Sequence, residues 1–288
     1  MKTRTIGDVI VSAIGLGGMP LSIEGRPDDE RAIATIHAAL DAGITLIDTA
    51  DAYRLPGEDE SHNEQVIAQA LRSYGGDTSG ILVATKGGHH RTVAQSGPWE
   101  QNGHPDYLKE AAKASLKNLG VDAIGLYQFH RPDPLVDYAD SVGAIRDLLD
   151  AGIIRMAGIS NANPAQILLA QKILDNRLVS VQNQFSPSFR SSEPELDLCD
   201  ELELAFLPWS PLGGIGGAAR LGDRFAPFQT IASEHGVSPQ VICLAWELAK
   251  SPVVIPIPGS SRPETIRDSA TAVDVILSPE ELAILDAA

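Results

Sequence analysis

The sequence predicts a closed (β/α)8 TIM barrel with an N-terminal β-hairpin, and three observations predict it. Eight short apolar runs punctuate the chain, amphipathic stretches separate them, and no GxGxxG fingerprint marks an open dinucleotide-binding sheet. No Ser/Gly-rich linker, charge block or low-complexity run divides residues 1–288, so they are assigned to one domain. Barrels of this kind commonly reach about 250 residues as a single unit.

The opening RTIG-D-VIVS reads as two very short strands around a Gly7-Asp8 turn, a hairpin suited to plugging one end of a barrel. The predicted barrel strands follow at 13–17, 44–48, 81–86, 124–130, 154–160, 179–184, 204–210 and 253–259. Most are apolar at nearly every position, as strands covered on both faces must be. Helices lie between them. Residues 28–42 put Ile33, Ile36 and Leu40 on one face, and residues 106–119 do the same with Leu108, Ala112, Leu116 and Leu119. Ser61-His62-Asn63-Glu64 has the pattern of a capping box. Asn163-Pro164, Ser238-Pro239 and Ser278-Pro279 each place a cap before a first-turn proline. Two helical stretches, about 225–235 and 239–250, precede the eighth strand, and the second is assigned to the barrel.

With 22 basic against 38 acidic residues and a formal charge of −16, the chain is a poor partner for nucleic acid, whose phosphates need clustered Lys and Arg. A small anionic ligand is still compatible, because a few local donors outweigh a distant field. Cys199 and Cys243 are the only cysteines and form no metal-binding spacing, so both are read as packing residues in a reducing, cytoplasmic protein. No apolar run approaches a membrane span, no long apolar h-region opens the chain, and no metal site is expected; a monomer is the default. His89 and His90 lack a third ligand at convincing spacing and are read as part of a solvated loop over 87–105.

Chemistry in such a barrel belongs at the C-terminal strand ends. There stand Asp48, Lys86 and His130, with Tyr53 five residues beyond Asp48 and with Asn161, Gln182 and Asn183 on later strands. A buried Lys and Asp need each other, so Asp48 and Lys86 are expected to pair. A Lys ammonium beside a tyrosine favours the phenolate and lowers the phenol's pKa, which suits Tyr53 as proton donor near neutral pH, with His130 orienting the same oxygen. The reaction indicated is reduction of a carbonyl by a hydride from a nicotinamide.

At these residues the chain resembles the aldo-keto reductase superfamily over nearly its whole length. GITLIDTADAY is similar to the family's segment carrying the aspartate (Asp48) and tyrosine (Tyr53), ILVATKGG to the lysine segment (Lys86) and LYQFHRPDP to the histidine segment (His130). The resemblance implies NADP(H) bound extended and a small-molecule carbonyl substrate. It implies further that Ser160, Asn161 and Gln182 hold the carboxamide, Trp209 stacks on the nicotinamide, and Ser210, Leu212 and Gly214 follow the pyrophosphate. IPIPGSSRPETIRDSA resembles the segment that grips the adenosine phosphate, which assigns Gly259, Ser260, Ser261 and Arg262 there, with Arg267 as a second cation. Arg54 stands where many members carry Gly, and the loop LPGEDESHNE after it is expected to influence substrate choice, with Trp99 available to pack on substrate and 211–224 forming a glycine-rich flap. A Schiff-base aldolase with Lys86 as nucleophile is the competing enzyme reading. A nicotinamide-binding regulatory subunit of a membrane channel, known among relatives of the family, is the non-enzyme reading.

Overall fold

The computed structural model describes residues 1–58, 61–91 and 99–288. Thr3–Ile6 (β1) and Val9–Ser12 (β2) form the antiparallel hairpin around Gly7-Asp8. The remaining strands are Leu16–Gly17 (β3), Leu46–Asp48 (β4), Leu82–Gly87 (β5), His89–Arg91 (β6), Trp99–Gln101 (β7), Ile124–Phe129 (β8), Ile154–Ser160 (β9), Leu178–Gln182 (β10) and Ala205–Phe206 (β11). Seven of them make a parallel sheet in the order β11-β10-β9-β8-β5-β4-β3. The helices are Asp29–Asp41 (α1), His62–Ser73 (α2), Pro105–Leu119 (α3), Tyr138–Asp150 (α4), Pro164–Ile173 (α5), Glu193–Glu201 (α6), Leu221–Arg224 (α7), Ala226–His235 (α8), Pro239–Lys250 (α9), Pro263–Ala270 (α10) and Pro279–Asp286 (α11).

The eighth predicted strand is not a regular one. Residues 253–259 fill the gap between β11 and β3 through two isolated bridges, Val254 with Phe206 and Gly259 with Gly17. The amides of Ile255 and Ile257 donate to the carbonyls of Phe206 (2.8 Å) and Pro208 (3.3 Å), while Gly15 and Gly17 donate to the carbonyls of Pro256 (2.9 Å) and Pro258 (3.0 Å). Pro256 and Pro258 have no N–H to return, which thins the hydrogen bonding across the β3 side of this joint. The backbones come close there: a Cβ on Gly17 would sit 2.7 Å from the carbonyl oxygen of Ile257, which is why glycine stands at that position.

The barrel interior is lined by Leu46, Leu82, Ala84, Leu126, Met156, Ala205, Leu207, Ile255 and Ile257, and Ile6 and Val11 of the hairpin join the same cluster. The hairpin therefore closes the barrel from the end opposite the polar strand termini. Helices cover the outside through two further apolar clusters, and Cys199 and Cys243 are buried, unpaired packing residues there.

Most predicted helix starts are met: Asn163 and Ser278 form full capping boxes and Ser238 accepts from Val241 N–H. The Ser61 box is only half formed. Ser61 accepts from the Glu64 amide (3.4 Å), but the Glu64 side chain turns inward to accept from Thr85 Oγ1 (2.6 Å) and Asn118 Nδ2 (3.1 Å). The Thr85 hydroxyl and the half-buried Asn118 amide take the carboxylate that a full box would turn back to the Ser61 backbone amide.

Helix α9 carries an uncompensated group. Glu247 is fully buried, neither carboxylate oxygen has a partner among the described residues, and burial pushes its carboxyl well above the usual carboxylate range. The folded state thus holds a proton that the unfolded chain releases above about pH 4.3, and the stability this contributes is lost as pH rises from there through the raised folded-state value. Glu247→Met is expected to stabilise the protein by about 1–3 kcal/mol at pH 8 and by much less at pH 4. Denaturant titrations of both proteins at the two pH values check this; a gain independent of pH would contradict it.

Candidate active site

The C-terminal strand ends carry a buried ionic cluster built from three strands. Asp48 ends β4, Lys86 lies near the end of β5 and Gln182 ends β10. Lys86 is fully buried and each of its three ammonium protons has an acceptor: Asp48 Oδ1 at 2.6 Å, the Thr49 carbonyl at 2.7 Å and the Tyr53 hydroxyl oxygen at 3.3 Å. The second Asp48 oxygen accepts from Gln182 Nε2 (2.7 Å) and Gln128 Nε2 (3.4 Å). Gln128, next to last in β8 and level with Lys86, was missed by sequence reasoning; a lone Gln in an otherwise apolar run is the signal that could have found it.

Burial pulls the Lys86 ammonium down, but the Asp48 carboxylate and Tyr53 oxygen outweigh it and hold the group above the usual lysine value. For Tyr53 the balance is reversed. Burial pushes the phenol above its ordinary value against the pull of Lys86, and the charge of Asp48 adds to the rise. Lys86 does pull this phenol down as expected, but burial outweighs it, and the Asp48 charge, 2.6 Å from the ammonium, offsets part of the pull. Tyr53 is a neutral phenol whose oxygen accepts from Lys86 and whose O–H is left to donate elsewhere.

His130 follows β8. Its ring stands edge-on to Tyr53, with centroids 5.9 Å apart, and burial keeps it a neutral imidazole, well below the usual histidine range. His89 is only partly exposed. It lies against Trp99 at 5.0 Å and edge-on to His130 at 4.9 Å, and burial with the Arg131 charge lowers it to about 4. The segment 87–105 contains an antiparallel strand pair, β6 with β7, rather than a simple loop; residues 92–98 lie outside the described residues. Arg91 anchors this strand pair. It forks onto Glu24 (2.5 and 3.0 Å) and lies over the Trp99 ring at 4.6 Å.

The cluster opens into a cavity of about 870 Å³. Asp48, Tyr53 and His130 line it, whereas Lys86 lies behind them. Ser160, Asn161, Gln182, Trp209, Ser210, Leu212 and Gly214 line it further along, and Gly259, Ser260, Ser261 and Arg262 line its far end. Arg267 is exposed and outside it; Thr265, Asp268 and Ser269 of α10 line it instead. Asn161, held at φ 56°, donates to the His130 carbonyl (3.0 Å) and Ser160 Oγ (2.9 Å) and accepts from Trp209 Nε1 (3.2 Å), which fixes the indole ring. Ser160 Oγ in turn donates to the Gln182 carbonyl (2.7 Å). The segment 211–224, expected as a flap, is built of turns and short helical pieces over this cavity, with Gly213, Gly214 and Gly216 at positive φ. Of the loop after Tyr53, residues 59–60 lie outside the described residues; Glu58 accepts the fork of Arg26 at 3.1 and 2.9 Å.

The sequence profile of the aldo/keto reductase family matches residues 13–288. The chain belongs to that family. An aldo/keto reductase of this barrel type is an oxidoreductase, and the relatives agree. The chain is 35% identical to an uncharacterized oxidoreductase of Schizosaccharomyces pombe, over 99% of this chain and 89% of that protein. It is 32% identical to the 6-dehydroglucose reductase of Novosphingobium aromaticivorans, over 93% of this chain and 88% of that protein. Among solved structures, an aldo/keto reductase from Klebsiella pneumoniae in complex with NADP and acetate superimposes with a TM-score of 0.80 at 26% identity, over 99% of this chain and 94% of that one. Among the described residues, no helix of this aldo/keto reductase is long and apolar enough to cross a membrane.

Proposed function

We propose that the protein reduces a small-molecule aldehyde or ketone to an alcohol with NADP(H), Tyr53 being the proton donor. The observation that carries this is the single lysine ammonium shared between the Asp48 carboxylate and the Tyr53 hydroxyl. The cavity suits the cofactor. An amide and hydroxyl cluster (Ser160, Asn161, Gln182) lies beside a fixed indole, followed by glycines at positive φ that let backbone approach a diphosphate, and then by Arg262, whose side chain has no partner among the described residues. When bound there, NADPH supplies a hydride.

The chain's own residues handle the proton. Tyr53 donates its O–H to the carbonyl oxygen as charge develops on it. The Lys86 N–H at the phenol oxygen stabilises the phenolate left behind, and Asp48, gripped by Gln182 and Gln128, keeps Lys86 in place. The neutral His130 imidazole, with one N–H to give, orients the same oxygen. A Schiff-base role for Lys86 is disfavoured, since attack needs a free amine lone pair and all three N–H groups of this buried ammonium are engaged.

The test is turnover of a panel of aldehydes and ketones with NADPH and with NADH. Consumption of NADPH matched by alcohol formation is expected, and no turnover across a broad panel would refute the reading. Arg262→Ala is expected to raise KM for NADPH by about 10-fold or more while moving KM for NADH far less, because only NADPH carries the 2′-phosphate. Equal effects on both cofactors would remove the phosphate role from Arg262.

A further inference from the structure

At the wall of the cavity nearest Tyr53 and His130 stands a cation that none of the described residues pairs with. Arg131 follows His130 directly, lines the cavity with His89 and Trp99, and is half-buried. Its guanidinium forms no hydrogen bond, ion pair or ring contact among the described residues. This is notable in a chain with 38 acidic and 22 basic residues, where other arginines near the mouth are spoken for: Arg91 by Glu24 and Arg26 by Glu58. Partial burial without a counterion is costly, and here it draws the guanidinium below the usual arginine value. The surrounding groups leave the charge uncancelled. Asp48 is committed to Lys86, and His89 and His130 are both lowered and neutral at pH 7.

We propose that Arg131 binds a carboxylate on the substrate, so that the favoured carbonyl compound is an aldehyde acid, its apolar body lying against the Trp99 and His89 rings while the carbonyl oxygen reaches Tyr53. This rests on the reductase reading above. A guanidinium matches a carboxylate with two parallel N–H···O bonds, and a site with a desolvated, unpaired cation discriminates against an analogue that cannot pair with it. The two imidazoles and the indole form a continuous apolar and aromatic wall beside that cation, with centroid spacings of 4.9 and 5.0 Å. The wall favours a planar spacer between the two polar ends of the substrate.

The experiment compares 4-carboxybenzaldehyde with its neutral isostere 4-formylbenzamide as substrates for wild type, Arg131→Met and Arg131→Lys, with NADPH binding followed by fluorescence. Wild type is expected to favour the carboxylate. The ratio of the two kcat/KM values is expected to fall roughly 30-fold in Arg131→Met, the size of a lost charge-assisted pair, and to recover in part in Arg131→Lys. A ratio that Arg131→Met leaves unmoved, while both aldehydes are still reduced, overturns the carboxylate role and spares the reductase reading. A loss of NADPH affinity as large as the loss on the acid assigns the cation to the cofactor and also overturns it. Failure of wild type to reduce either aldehyde, or any other carbonyl, removes the reading on which the proposal rests.

Discussion

Tyr53→Phe is expected to lower kcat/KM for any aldehyde the enzyme reduces by about 10³-fold, within the range that a positioned general acid contributes. The substitution removes one oxygen. Among the described residues that oxygen has a single donor, Lys86 at 3.3 Å, so its loss leaves one ammonium proton unpaired while Asp48 and the Thr49 carbonyl still hold the other two. The remaining rings are unaltered, and Trp99 keeps its contacts with Arg91 and His89. NADPH affinity should therefore stay within a few-fold of wild type while turnover collapses. Steady-state kinetics paired with a fluorescence titration separates the two quantities. A variant that kept wild-type kcat on a good substrate would show that the proton comes from elsewhere.

Lys86→Met should be the most damaging single change to stability. It strands the buried Asp48 carboxylate with only two amide donors, Gln182 and Gln128, and removing one member of a buried ion pair costs about 3–5 kcal/mol. Activity should vanish with it. The double variant Asp48→Asn/Lys86→Met is expected to recover most of the stability, because no buried charge is left, yet none of the activity. Urea unfolding of Lys86→Met, Asp48→Asn and the double variant beside wild type gives the coupling between the two side chains. If the single and double variants were equally unstable, the lost packing of the lysine stem, rather than the orphaned charge, would be responsible.

The barrel was legible because a strand covered on both faces must be apolar along its length, which six of the eight runs display without interruption by proline. The joint at 253–259 was read as an ordinary strand since its isoleucines and valines fit the pattern; what the pattern omits is that Pro256 and Pro258 cannot donate. The Asp48–Lys86 pairing followed from the cost of burying either charge alone. The protonation of Tyr53 did not, because it depends on how far Asp48 cancels Lys86, a matter of ångströms that no spacing encodes. His89 was misjudged for a similar reason: a histidine in a polar segment reads as solvated until a tryptophan ten residues later folds back over it. Arg131 carried no signal of its own, since an arginine beside a histidine becomes informative only when none of the described residues is found to pair with it.

The proline-bearing joint links architecture to occupancy. Gly17 and Pro20 form one lip of the cavity and Gly259 with Ser260 the other, so a ligand lying there touches both sides of the least firmly stitched closure in the sheet. Filling the cavity and fastening the cylinder are then thermodynamically linked, each favouring the other by the same free energy. The ligand acts as a clasp across a hoop whose own ends meet without being fully riveted.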